Sequence, residues 1–109
     1  MAHRIEVKKW WYEKEQSKAQ GYNWTLCWEK VFEDDDGKRY KEKDGERLYN
    51  LGAEVKVVGY ALFGEAVKET DKSIQYRLIF WNLNKAGRYV TDAPVESKWL
   101  TWIPKSVLL

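Results

Sequence analysis

The chain has 109 residues, 19 basic against 17 acidic side chains and a net charge of +2. A third of the residues are charged and 44% are apolar, a balance that argues against a disordered tail, a polybasic nucleic-acid arm and a membrane protein. One Cys and one His exclude a disulfide framework and a zinc site built within one chain, which leaves seven Trp, seven Tyr and three Phe as the distinctive feature.

In chain order, period two dominates over period 3.6. Residues 4–12 predict a strand with Ile5, Val7 and Trp11 on one face and Arg4, Glu6, Lys8, Trp10 and Tyr12 on the other. Residues 13–21 are polar and end in Gly21, which predicts a loop with at most one helical turn in 13–20. Tyr22, Trp24, Leu26 and Trp28 then alternate with Asn23, Thr25, Cys27 and Glu29, the pattern of a half-buried strand in which Trp24 and Trp28 face the core. Asp34-Asp35-Asp36-Gly37 marks a turn. From Glu29 to Arg47, six basic and eight acidic residues interleave around Gly37 and Gly45, which predicts a charged, exposed hairpin or loop at 29–47.

Residues 53–63 predict a long strand, apolar on both faces near its middle. Gly59 within it and Gly64 just after it suggest a bulge or a barrel corner. Asp71-Lys72 is a turn. Residues 73–82 place Ile74, Tyr76, Leu78 and Phe80 inward and Gln75, Arg77, Ile79 and Trp81 outward. A turn at 82–87, a short strand at 88–91 and a break at Asp92-Ala93-Pro94 lead to a closing strand, Trp99 to Ile103, stopped by Pro104. A short helical turn fits 104–109 as well. Five to seven strands with turn signals every eight to twelve residues predict an all-β or β-rich single domain over 1–109. The expected architecture is a small antiparallel barrel of the OB or SH3-like type.

No local arrangement for nucleophilic catalysis occurs, and paired carboxylates for acid–base work would have to come from distant strands. His3 lies at the N-terminus, Cys27 sits between Leu26 and Trp28 as a small hydrophobe, and no Gly-Lys-Ser/Thr phosphate loop occurs. The run Asp34 to Asp36 lacks the alternating spacing of a calcium loop and is followed by Lys38 and Arg39. The expectation is therefore a protein that is not an enzyme and takes no cofactor and no metal. No apolar leader occurs in residues 1–20 and no apolar stretch is long enough for a span, so a cytoplasmic chain without a membrane partner is expected. The lone thiol fits a reducing compartment, and Asn23-Trp24-Thr25 reads as a chance match to the glycosylation pattern.

Aromatics on the outward rows are the candidate site. Lys8, Trp10 and Tyr12 share one outer row, Arg77 and Trp81 share another, and Tyr60 lies near Lys56. Rings interleaved with cations suit single-stranded nucleic acid, where each stacked base contributes about 1–3 kcal/mol and the cations neutralise phosphates. The weak net charge counts against duplex binding. The alternative is a protein-binding module, because interface centres favour Trp, Tyr and Arg. A third option is an aromatic pocket for a small cation or nucleotide-like ligand, with Glu6 or Glu65 beside it. Against all three stands plain packing of Trp10 and Trp81 beneath the 29–47 segment.

The ending Trp102-Ile103-Pro104-Lys105-Ser106 resembles the closing segment of small phage- or prophage-type β proteins. That resemblance implies a mobile-element origin, and an inhibitor directed at a host protein would have this size and composition. It transfers no site residue. The tail Val107-Leu108-Leu109 either tucks under the domain or offers an apolar contact for a homodimer.

Overall fold

A computed structural model describes the backbone of residues 2–19, 24–83 and 89–109 and the side chains of residues 2–15, 26–80 and 100–109. The elements run β1 (His3–Lys8), α1 (Lys9–Ala19), β2 (Trp24–Leu26), β3 (Trp28–Asp34), β4 (Arg39–Lys41), α2 (Glu42–Asn50), β5 (Val55–Glu69), β6 (Ser73–Leu83) and β7 (Tyr89–Pro104), then a 3-10 turn, Lys105–Val107. Seven strands, all paired antiparallel, form one sheet in the order β2-β6-β5-β3-β4, with β1 added to β5 and β7 added to β6.

The register explains the curl of this sheet. In β5, Leu62 pairs with both Ile5 and Trp28, while Gly64 pairs with both His3 and Leu78. So β1 occupies one edge of β5, and β3 and β6 share the other edge in succession. Beyond Gly64 and Leu78, β5 and β6 part, and the β2–β3 segment enters between them, where the Cys27 N–H donates to the Ile79 carbonyl at 3.0 Å. The ladder skips Val58 beside Gly59, the bulge that its position within the strand pattern predicts; Gly64 pairs in regular register, and a second irregularity falls later, at Val67. A Cβ on Gly59 would run into the Val7 carbonyl and lie 2.8 Å from Leu109 Cδ1, so only glycine allows β1 and the C-terminal tail to approach here.

The sheet is β-rich and antiparallel, but it is not a closed barrel, in contrast to the expectation from sequence. Its outer strands, β4 and β7, do not pair with each other. The C-terminal tail instead covers the free edge of β1 through a bridge between Val7 and Leu108 and an N–H from Leu109 to the Glu6 carbonyl at 3.0 Å. Pairing with the tail leaves fewer unpaired N–H and C=O groups on the edge of β1, one of the ways an exposed edge is blunted.

The inward row of β1 (Ile5, Val7) packs with Leu62 of β5, with Tyr76, Leu78 and Phe80 of β6, and with Ile103 and Val107 near the C-terminus. Trp11 and Tyr12 of α1 join the same core. Burial of each such side chain contributes about 1.5–3 kcal/mol. The alternation in residues 4–8 and 74–80 therefore reads correctly. It fails from Lys9, where the chain turns into α1 instead of continuing as a strand or opening into a loop.

The 29–47 segment comprises β3, β4 and the first part of α2. Its hairpin turn rests on Asp34, whose Oδ1 accepts N–H groups from Asp36 (3.0 Å) and Lys38 (2.9 Å), while Gly37 takes the left-handed conformation at φ 82°. Val31 and Phe32 are buried within this charged stretch: Gly45 of α2 lies against the Phe32 ring, and Val31 sits in the ladder between Lys41 and Gly59. The break expected at 92–94 is also absent. Between the pairs Trp81–Pro94 and Asn82–Val90 the ladder shifts, and an irregularity absorbs Thr91-Asp92-Ala93 within one long β7.

Candidate binding surface

The helix α1 decides the fate of the first candidate row. A strand would place Trp10 and Tyr12 on one face, two residues apart; a helix places them about 200° apart. Trp10 is 57% exposed, whereas Tyr12 is 2% exposed and belongs to the core. The expectation that Tyr12 faces outward is thus overturned by the change of period. After Tyr12 the helix carries only polar residues and alanine, so no apolar residue recurs one turn on to reveal the helical period.

Tyr12 comes to rest on Tyr60 and Trp28. Ring centroids are 4.2 Å apart for Tyr12 and Tyr60, 5.4 Å for Trp28 and Tyr60, and 6.0 Å for Tyr12 and Trp28. The rings pack on one another in tilted and edge-on geometry, which fills the space an aromatic cage would need to leave open. Burial, with Glu13 close by, raises the Tyr60 hydroxyl above its usual range. This cluster is structural: it fastens α1 to β3 and β5.

Lys8 is exposed at the end of β1, opposite Gly59. Arg77 is exposed in the middle of β6, facing away from Tyr76 and Leu78. Trp10 rides on the helix that covers the core face, so it and Arg77 lie on opposite sides of the sheet. The Trp81 side chain lies outside the described residues; its backbone pairs with Thr25 and Pro94. The structure therefore does not gather Lys8, Trp10, Tyr12, Tyr60 and Arg77 on one surface.

It assembles another group around Arg77. The register sets Trp102, Gln75 and Lys68 in one cross-strand row and Leu100, Arg77 and Glu65 in the next. Trp102 is 44% exposed, Leu100 42% and Val67, the bulged residue of β5, 40%. Trp102 and Arg77 are diagonal neighbours on adjacent strands, within reach of one another. The sequence pattern misses this group because Leu100 and Trp102 sit in the apolar closing strand, where among the described residues Ile103 is the one fully buried. Only the pairing partners show which row faces out.

The remaining polar chemistry is consumed locally. Burial, reinforced by Glu29, pushes the half-buried Cys27 thiol up to about 11, so it is protonated at neutral pH and a poor nucleophile. The Asp34 carboxylate is held below its ordinary 3.8 by the Lys38 N–H, with the Tyr40 hydroxyl donating to Oδ2 at 2.9 Å. Among the described residues no group of three His, Cys, Asp or Glu could hold a metal ion, and no helix is long and apolar enough to cross a membrane. Comparison with known proteins finds no matching family model, curated protein or solved structure.

Proposed function

We propose that this chain is a non-catalytic binding module that offers the outer face of β5, β6 and β7 to another protein. The observation that carries this reading is the exposure of Trp102, Leu100 and Val67 around Arg77 on one sheet face. Exposed apolar side chains that adjoin one another mark contact surfaces, and a Trp–Arg pair flanked by aliphatics has the composition of an interface centre. The resemblance of the closing segment to phage-type β proteins fits a binder directed at a host protein.

Single-stranded nucleic acid is the second reading, favoured by the row of Trp102, Gln75 and Lys68, which sets a ring beside an amide and a cation. It ranks second because Leu100 and Val67 offer nothing to a phosphate, and Glu65 and Glu69 place negative charge on or beside the same strands.

The test is capture from nuclease-treated lysate by the wild-type chain, Trp102→Ala and Trp10→Ala, with bound proteins identified. A partner kept by wild type and Trp10→Ala but lost by Trp102→Ala supports the proposal. Equal capture by wild type and both variants would remove it. Fluorescence quenching by a short oligonucleotide, lost in Trp102→Ala, would instead select the second reading.

A further inference from the structure

We propose that a depression between β1 and β4 binds a small organic anion, a carboxylate or phosphomonoester carried on an aromatic or branched aliphatic body. The depression is open to solvent, with a volume of about 530 Å³, and shares no residue with the Trp102 and Arg77 surface. Its polar lining is Arg4, Glu6, Arg39 and Lys41. Its apolar lining includes Tyr40, Tyr76 and Leu108.

The charge in this lining is unbalanced. Three cations face one carboxylate, and that carboxylate is shared: Glu6 Oε2 is 3.2 Å from Arg4 Nε, and Glu6 Oε1 is 3.7 Å from Arg39 Nη1. Glu29 holds Arg4 from outside the depression by an ion pair to Nη1. Among the described residues Lys41 makes no ion pair, although it lines the depression. Arg4 is partly buried, so its field is screened less than that of a surface guanidinium.

An anionic head group would complete this arrangement, since a charge-assisted hydrogen bond from Arg or Lys to an oxyanion is about twice as strong as a neutral one. Tyr40 and Leu108, both half-buried, specify the rest of the ligand, over the buried Tyr76 at the floor. A bare inorganic ion would leave that wall in water, whereas a ring or branched chain would cover it. The pairing of the C-terminal tail with β1 sets Leu108 and Leu109 at the rim, so the site exists only in the folded chain.

The test is a titration of the ¹⁵N-labelled full chain at fixed ionic strength with phenyl phosphate, benzoate, inorganic phosphate and phenol, followed by amide shifts. Saturable shifts at Arg4 to Glu6, Arg39 to Lys41 and Leu109 with phenyl phosphate or benzoate support the proposal, and the tighter of the two identifies the head group. Inorganic phosphate and phenol should bind more weakly, each lacking half of the ligand. Arg39→Ala combined with Lys41→Ala should weaken binding about tenfold or more, from the loss of two charged contacts, with unchanged thermal unfolding. The proposal fails if neither organic anion saturates these amides at millimolar concentration, if phenol binds as well, or if the double variant binds as tightly as wild type.

Discussion

Replacing Tyr12 and Trp10 separately by Ala tests the packing of α1 directly. Tyr12 is 2% exposed, with its ring 4.2 Å from Tyr60 and 6.0 Å from Trp28. Truncating a buried ring of this size costs about 3–5 kcal/mol, lost ring contacts included, and the higher helix propensity of Ala returns about 0.5 kcal/mol. The expected net loss is about 2.5–4.5 kcal/mol. For a domain of this size that corresponds to a fall in Tm of roughly 10–18 °C. Trp10 is 57% exposed, so Trp10→Ala should change stability by no more than about 0.5 kcal/mol. Thermal and urea unfolding followed by circular dichroism measure both. A continued strand would place the two residues on one face, and their truncations would then have similar effects. Equal shifts in Tm for the two variants would refute the helical packing and, with it, the structural role given to the ring cluster.

Gly45→Ala should destabilise the fold by about 1–2 kcal/mol, since the added Cβ meets the Phe32 ring and lies 2.7 Å from Phe32 Cβ, an overpacking that outweighs the gain in helix propensity; a more stable variant in urea would contradict the contact. The Cys27 thiol, pushed up to about 11 against an ordinary 9.0, should react with iodoacetamide at pH 8 on the order of a hundredfold more slowly in the native chain than in urea, and equal rates would refute its burial. The folded Asp34 carboxyl titrates below 3.8, so its contribution to the turn is complete above that value and lost as pH falls through the lower folded value. The Lys38 amide shift should accordingly titrate with a midpoint below pH 3.8, and a midpoint at or above it would contradict the bond from Lys38 N–H to Asp34. Trp102→Ala should leave the Tm within a few degrees of wild type while abolishing partner capture, because the ring is 44% exposed; unfolding of this variant would place Trp102 in the core.

Period-two alternation alone determined that this is a β-rich chain, that Ile5, Val7, Tyr76, Leu78 and Phe80 face inward, and that Arg77 faces outward. The run Asp34 to Gly37 placed the turn, and Gly59 pointed to the bulge beside it. These are local properties, set by side-chain alternation and by glycine. The two helices were not legible in the same way. Trp10-Trp11-Tyr12 is a contiguous apolar run compatible with either period, and Gly45 interrupts a sequence of polar helix formers. Tertiary contact decides both: Tyr60 and Trp28, carried in by β5 and β3, give Tyr12 and α1 a seat, and Phe32 gives α2 one. The same holds for the candidate surface. Whether Leu100 and Trp102 are core or contact depends on which row of β6 they pair beside, and no pattern within the closing strand carries that information.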